Sequence, residues 1–104
     1  MTLQDAYQIC PAIRIITLND LNQAAQRVLG NKSFRIDFNK TFYEQGFDDL
    51  SCVEIIMELE NKLNITIYDE VASFIVSEHS KPDFILQEWR ESQLNKILND
   101  KEGI

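Results

Sequence analysis

The amino-acid sequence predicts an all-α fold, a four-helix bundle with a long first loop and a short third helix. Its length of 104 residues, with 44% hydrophobic and 26% charged residues, is typical of one globular domain. Apolar residues recur at helical spacing in four segments, and no segment shows the alternation of a well-defined strand.

The first predicted helix spans Leu18–Leu29. Thr17 suits the N-cap, Asp20 lies in the first turn, and Gly30 follows as the stop signal. The apolar residues of this segment then share one face, as an amphipathic helix requires: Leu21, Ala25, Val28 and Leu29.

A long loop is predicted next, in the stretch NKSFRIDFNKTFYEQGF. Loops of this length are uncommon in small domains, so we expect it to be pinned by its apolar side chains. The candidates for the core are Phe34, Ile36, Phe38, Phe42 and Phe47.

Three further helices are predicted. The second spans Asp49–Leu63 and the short third spans Asp69–Ile75. The fourth begins near Ser80, with Pro82 and Asp83 in its opening turn, and extends through Trp89 toward Leu98.

The second predicted helix carries two apolar faces. At about 100° per residue, one face suits the core: Cys52, Ile55, Ile56, Leu59 and Leu63. The opposite face carries Leu50, Val53 and Met57, here called the outer strip, and acids border it: Asp49, Glu54, Glu58 and Glu60. The outer strip either packs beneath another helix of this chain or is an exposed surface for a protein partner.

The net charge of −7 is concentrated around that helix. Between Glu44 and Glu70 there are eight acids and one base, Lys62, whereas the rest of the chain has nine of each. This region therefore repels nucleic acid and favours a partner with a basic surface. A solvated acidic face that only maintains solubility is the alternative.

Catalytic and metal-binding chemistry are both disfavoured. His79 is the only histidine, and no phosphate-binding loop or catalytic-triad spacing is present. Cys10 and Cys52 lack a neighbouring ligand, so we interpret Cys52 as a core residue and predict no metal site. The chain is predicted to be a soluble non-enzyme without a membrane span. Its N-terminal residues suit neither a secretory signal nor a transit peptide, so a targeting peptide has either been removed already or was never used.

The stretch GFDDLSCVEIIMELENKLNITIYDE resembles the acyl carrier proteins without a gap. Their signature is Gly-x-Asp-Ser-Leu, a helix of the type Val-Glu-Leu-x-Met-x-Leu-Glu, and then an Ile-Pro-Asp-Glu step. The resemblance covers roughly residues 18–89. The matching positions are Gly46, Asp48, Leu50, Val53, Glu54, Met57, Leu59, Glu60, Ile67, Asp69 and Glu70.

The departures from the family pattern concern the site of modification. The family attaches 4′-phosphopantetheine to a serine, and Asp49 stands at that position, so the resemblance implies a degenerate site without this cofactor. Ser51 is close, but two residues along a helix rotate its side chain by about 200°. Tyr68 replaces the proline of the third step.

A carrier without its serine keeps only features that bind partners. In mitochondria, family members also serve as structural subunits that dock on basic proteins of the leucine-tyrosine-arginine (LYR) motif class. The resemblance thus implies a non-catalytic accessory subunit of respiratory complex I (NADH:ubiquinone oxidoreductase), on the matrix side of the inner membrane. The expected contact residues are Asp48, Asp49, Leu50, Val53, Glu54, Met57, Glu58 and Glu60.

Two alternatives stay open at this point. One is an acyl carrier of fatty acid synthesis that is loaded at a non-standard residue. The other is a soluble adaptor for mitochondrial iron–sulfur or ribosome assembly, which would use the same helix on a smaller partner.

The predicted domain organisation places the carrier-like domain at residues 18–90. It lies between an N-terminal extension, residues 1–17, and a C-terminal helical tail, residues 91–104. Both ends are expected to contact a larger assembly through the apolar side chains Ile13, Ile15, Ile16, Leu94, Ile97 and Leu98.

Overall fold

A computed structural model describes residues 1–85 of the chain. These residues form helices α1 (Leu3–Ile9), α2 (Leu18–Leu29), α3 (Asp49–Leu63) and α4 (Asp69–Ile75), and a 3-10 helix, Pro11–Ile15. This part of the chain contains no strand, so the predicted all-α class is confirmed. Within the same residues, no helix is both long enough and apolar enough to cross a membrane.

Helix α2 has the predicted bounds, and local hydrogen bonds explain both ends. Thr17 Oγ1 accepts from the Asp20 backbone N–H at 3.2 Å, and the Asp20 carboxylate accepts from the Thr17 N–H at 3.0 Å. At the other end Gly30 adopts φ +64°, and the N–H of Asn31 donates to the Gln26 carbonyl at 3.0 Å. Helices α3 and α4 also begin and end where the sequence predicts.

The long loop between α2 and α3 is pinned by aromatic packing, as predicted. Phe42 and Phe47 are fully buried, and Phe47 makes edge-to-face contacts with Phe34 at 5.4 Å and with Phe42 at 6.1 Å between ring centroids. The Phe42 N–H also donates to the Ser80 carbonyl at 3.0 Å. The loop therefore holds the start of α3 in a defined place.

Helix α1 was not predicted, although it has a clear sequence signal. Thr2 and Asp5 form a capping box at its start, with hydrogen bonds of 3.2 and 3.0 Å. The helix packs against α4. The buried hydroxyl of Tyr7 donates to the Phe84 carbonyl at 2.7 Å, which ties the N-terminal segment to residues beyond α4.

The apolar residues of the N-terminal segment serve this chain's own core. Ile13 is fully buried and Ile16 nearly so, whereas Ile15 is 56% exposed. The prediction that Ile13 and Ile16 contact a larger assembly is therefore wrong, because both side chains are already enclosed. The corresponding residues of the other end, Leu94, Ile97 and Leu98, lie outside the described residues.

The predicted start of a fourth helix near Ser80 is also wrong. Residues 80–85 are not helical: residues 82–85 form a turn and bends, and the Ser80 carbonyl accepts from the Phe42 N–H of the long loop. Pro82 has no N–H to donate, and the Asp83 N–H closes a tight turn onto the Lys81 carbonyl at 2.7 Å. The predicted continuation through Trp89 to Leu98 lies outside the described residues.

Candidate partner-docking face on helix α3

The start of α3 is set by Gly46 and Asp48. Gly46 has φ +102°, a conformation that favours glycine. Asp48 is the N-cap, and its Oδ1 accepts from the Ser51 N–H at 2.8 Å. This hydrogen bond from the Ser51 backbone lowers the pKa of the Asp48 carboxyl. Asp49 is the first helical residue and is exposed.

Helix α3 separates the two apolar faces that the sequence predicts. The buried face consists of Cys52, Ile55, Ile56 and Leu59. On the outer strip, Leu50 is 67% exposed, Val53 55% and Met57 54%. No helix within residues 1–85 covers the outer strip. The hypothesis that the strip packs beneath another helix is therefore wrong for helices in that part of the chain.

The acids along the outer strip are in different situations. Glu54 is exposed. Glu58 is half-buried and its Oε2 lies 3.3 Å from Arg27 Nε of α2. A second pair, Lys62 with Asp20 at 3.1 Å, also joins α3 to α2. Such surface pairs contribute little to stability, but the pair with Arg27 directs the Glu58 carboxylate toward α2. The sequence contains no signal for either pair.

Glu60 supports the fold as well as the rim of the outer strip. The carboxylate is half-buried, and its Oε2 accepts from the Ile67 N–H at 2.9 Å. The same residue's carbonyl accepts from the Ile65 N–H at 3.1 Å, just after Asn64 ends α3 with φ +53°. Glu60 therefore fixes the segment that connects α3 to α4.

We expect Glu60→Ala to lower the free energy of unfolding by about 1–3 kcal/mol, because it leaves the N–H of buried Ile67 without its acceptor. Glu60→Gln, which keeps an acceptor oxygen, should recover part of the loss. Urea denaturation followed by circular dichroism measures both, and exposed Glu54→Ala is the control. Equal effects of the three substitutions would contradict the assignment.

Neither cysteine is a reactive group. Both thiols are buried, and Cys10 Sγ lies 3.4 Å from the Thr66 carbonyl that accepts its hydrogen bond. Burial, with a smaller contribution from the nearby carboxylates of Asp49, Glu78 and Asp48, raises the pKa of the Cys52 thiol to about 11. Cys52 is therefore protonated at neutral pH and belongs to the core, as the sequence predicts.

Comparison with known proteins identifies the family of this chain. Residues 19–73, more than half of the chain, match the family model described as the phosphopantetheine attachment site. The chain belongs to the acyl carrier protein family. Members of this family are carriers, which agrees with the prediction of a non-enzyme.

Two curated relatives with the name acyl carrier protein are bacterial. One, from Exiguobacterium sibiricum, is 38% identical over 56 residues, which cover 53% of this chain and 71% of the relative. Another, from a second Exiguobacterium strain, is 39% identical over 56 residues, with the same coverage. No solved structure gives a significant match.

The side chains at the head of α3 do not fit a phosphopantetheine group. Attachment needs an accessible hydroxyl at the start of this helix, and position 49 presents an exposed carboxylate instead. The nearest hydroxyl belongs to Ser51, which is half-buried, two residues farther along the helix, and rotated away by about 200°.

Proposed function

We propose that this acyl carrier family protein is a non-catalytic binding protein that docks through the outer strip and acids of α3. The partner is a protein with a basic helical surface. The observation that carries the proposal is the exposure of Leu50, Val53 and Met57 side by side on one helix. The exposed carboxylates of Asp49 and Glu54 border the same strip.

The outer strip is held in place before a partner binds. Helix α3 is 15 residues long, capped at both ends and tied to α2, so the outer strip is preorganised. An apolar centre with a polar rim is the usual composition of a protein interface. The acids add selectivity and a faster association with a basic surface.

The outer strip alone is too small to support a stable complex. Burying its three side chains contributes on the order of 5 kcal/mol, while association costs about 4–15 kcal/mol. Two further exposed aromatic residues flank α3 in the chain: Tyr43 in the preceding loop and Tyr68 at the N-cap of α4. We propose that the partner also covers these tyrosines, since tyrosine is enriched at interfaces.

The narrower assignment is a structural subunit of mitochondrial complex I, bound to an LYR-motif partner on the matrix side. The acidic face supports it, because it complements a basic partner. The carboxylate at position 49 supports it too, since a structural subunit has no need of a loaded group. This assignment stays a prediction.

A second candidate function is that of an acyl carrier in fatty acid synthesis, loaded at a non-standard residue. The two bacterial relatives named acyl carrier protein favour it. Intact mass of protein purified from its own cell separates the two functions, because a loaded carrier has a phosphopantetheine-sized increment.

We expect Glu54→Lys and Met57→Lys each to weaken partner binding by about tenfold or more, since each places a cation opposite a basic surface or in an apolar contact. The protein is tagged in its own cell, and co-migrating proteins are identified on a native gel. The binding of the identified partner is then measured with purified variants. Asp83→Lys, at an exposed acid in the turn that follows α4, is the control with the same charge change.

Retention of the partner by both variants would overturn the docking function. If Asp83→Lys weakened partner binding to the same degree, only the net charge of the protein would matter. Co-migration with a large membrane complex favours the structural subunit, and co-migration with synthase components favours the acyl carrier.

A further inference from the structure

We infer that the side chain at position 49 is the one feature that keeps this protein from being loaded with phosphopantetheine, and that Asp49→Ser alone creates a modification site. The inference rests on the proposed function, because a transferase must recognise the same helix. The surface concerned is the outer strip of α3 together with the acids that border it, here called the docking face. The chain as it stands accepts no such group.

The first reason is the placement of position 49. It is exposed, and it is the first residue of α3, followed directly by the exposed Leu50 of the outer strip. A side chain here is open to a second protein on the same side that the outer strip presents. Among residues 1–85, nothing in this placement prevents a serine hydroxyl from reaching a transferase.

The second reason is that the helix start does not depend on the Asp49 side chain. The cap is supplied by Asp48, whose Oδ1 accepts from the Ser51 N–H, and by the positive φ of Gly46 before it. Serine is tolerated in the first turn of a helix. Replacement of Asp49 therefore leaves the fold and the outer strip in place, and it removes only one carboxylate from the rim of that strip.

The third reason is that the neighbouring nucleophiles are poor substitutes. Ser51 is half-buried and is rotated away from position 49. Cys52 is buried against the core. A carboxylate at position 49 could give only an acyl phosphate, which water cleaves readily, whereas an alcohol gives a stable phosphodiester.

The reaction that the substitution would permit has coenzyme A as the donor. The serine oxygen forms a bond to the phosphorus of the phosphopantetheine phosphate, and the bond from that phosphorus to the departing adenosine 3′,5′-bisphosphate breaks. The hydroxyl proton passes to a base of the transferase. No oxidant or reductant is required.

The test is the intact mass of purified full-length protein after incubation with coenzyme A and a phosphopantetheinyl transferase that loads bacterial acyl carrier proteins. The acyl carrier protein of Exiguobacterium sibiricum is the positive control. We expect one phosphopantetheine-sized increment on Asp49→Ser and on Asp49→Ser/Ser51→Ala. The unchanged protein and Asp49→Ala should show none.

An increment on the unchanged protein would overturn the inference. So would an unmodified Asp49→Ser variant that has the circular dichroism spectrum of the unchanged protein, in a reaction that loads the control. Partner binding by the unchanged protein is measured separately on the native gel. The proposed function can thus stand when this inference fails, and the reverse also holds.

Discussion

Replacement of Phe47 by alanine should lower the free energy of unfolding by about 3–5 kcal/mol, the largest effect that we expect from a single substitution. Phe47 is fully buried and its ring contacts Phe34 and Phe42 edge to face, so the change leaves a cavity and removes two aromatic contacts. Total stabilities of small domains are about 5–15 kcal/mol, so this loss would be a large fraction of the free energy of unfolding. Chemical denaturation of the purified variant and of the unchanged protein measures this difference in the free energy of unfolding.

The matched control for this prediction is Tyr43→Ala. Tyr43 belongs to the same loop, but its side chain is 61% exposed, and we expect a change within about 0.5 kcal/mol. Similar losses for the two variants would show that the loop is not pinned through its buried aromatic residues. Because the loop leads directly into α3, loss of the Phe47 contacts should also loosen the docking face.

Ile13→Ala should lower the free energy of unfolding by about 2–5 kcal/mol, as expected for a fully buried isoleucine. Its effect tests whether residues before α2 belong to the core of the carrier-like fold. Thermal or chemical unfolding of the purified variant measures the change without any partner present.

Ile15→Ala is an internal control, since it makes the same chemical change in the same 3-10 helix at a side chain that is 56% exposed. It should change stability by no more than about 0.5 kcal/mol. A small effect at both positions would mean that the N-terminal segment contributes little to the fold, and that its apolar residues are free for a partner after all.

Local signals account for the parts of the fold that sequence analysis predicts well. The bounds of α2 follow from Thr17, Asp20 and Gly30, whose hydrogen bonds reach no farther than four or five residues. The start of α3 follows from Asp48 in the same way. Caps of this kind are readable from sequence because all the atoms involved lie within one or two turns.

Non-local contacts account for the errors. Pro82 and Asp83 resemble a helix start, but the Ser80 carbonyl accepts from Phe42, a residue 38 positions earlier, and a turn forms instead. The isoleucines near the N-terminus resemble an exposed apolar surface until α1 packs on α4 and Tyr7 bonds to the Phe84 carbonyl. Neither contact has a short-range sequence signal.

The candidate site shows the same division. The sequence alone determines that α3 has two apolar faces and an acidic rim, because helical periodicity fixes which side chains share a face. Only the tertiary structure decides that the outer strip is exposed, that Glu58 pairs with Arg27, and that Glu60 holds the Ile67 N–H. The physical reason is that periodicity is a property of one helix, whereas burial and pairing depend on which distant segments the folded chain brings against it.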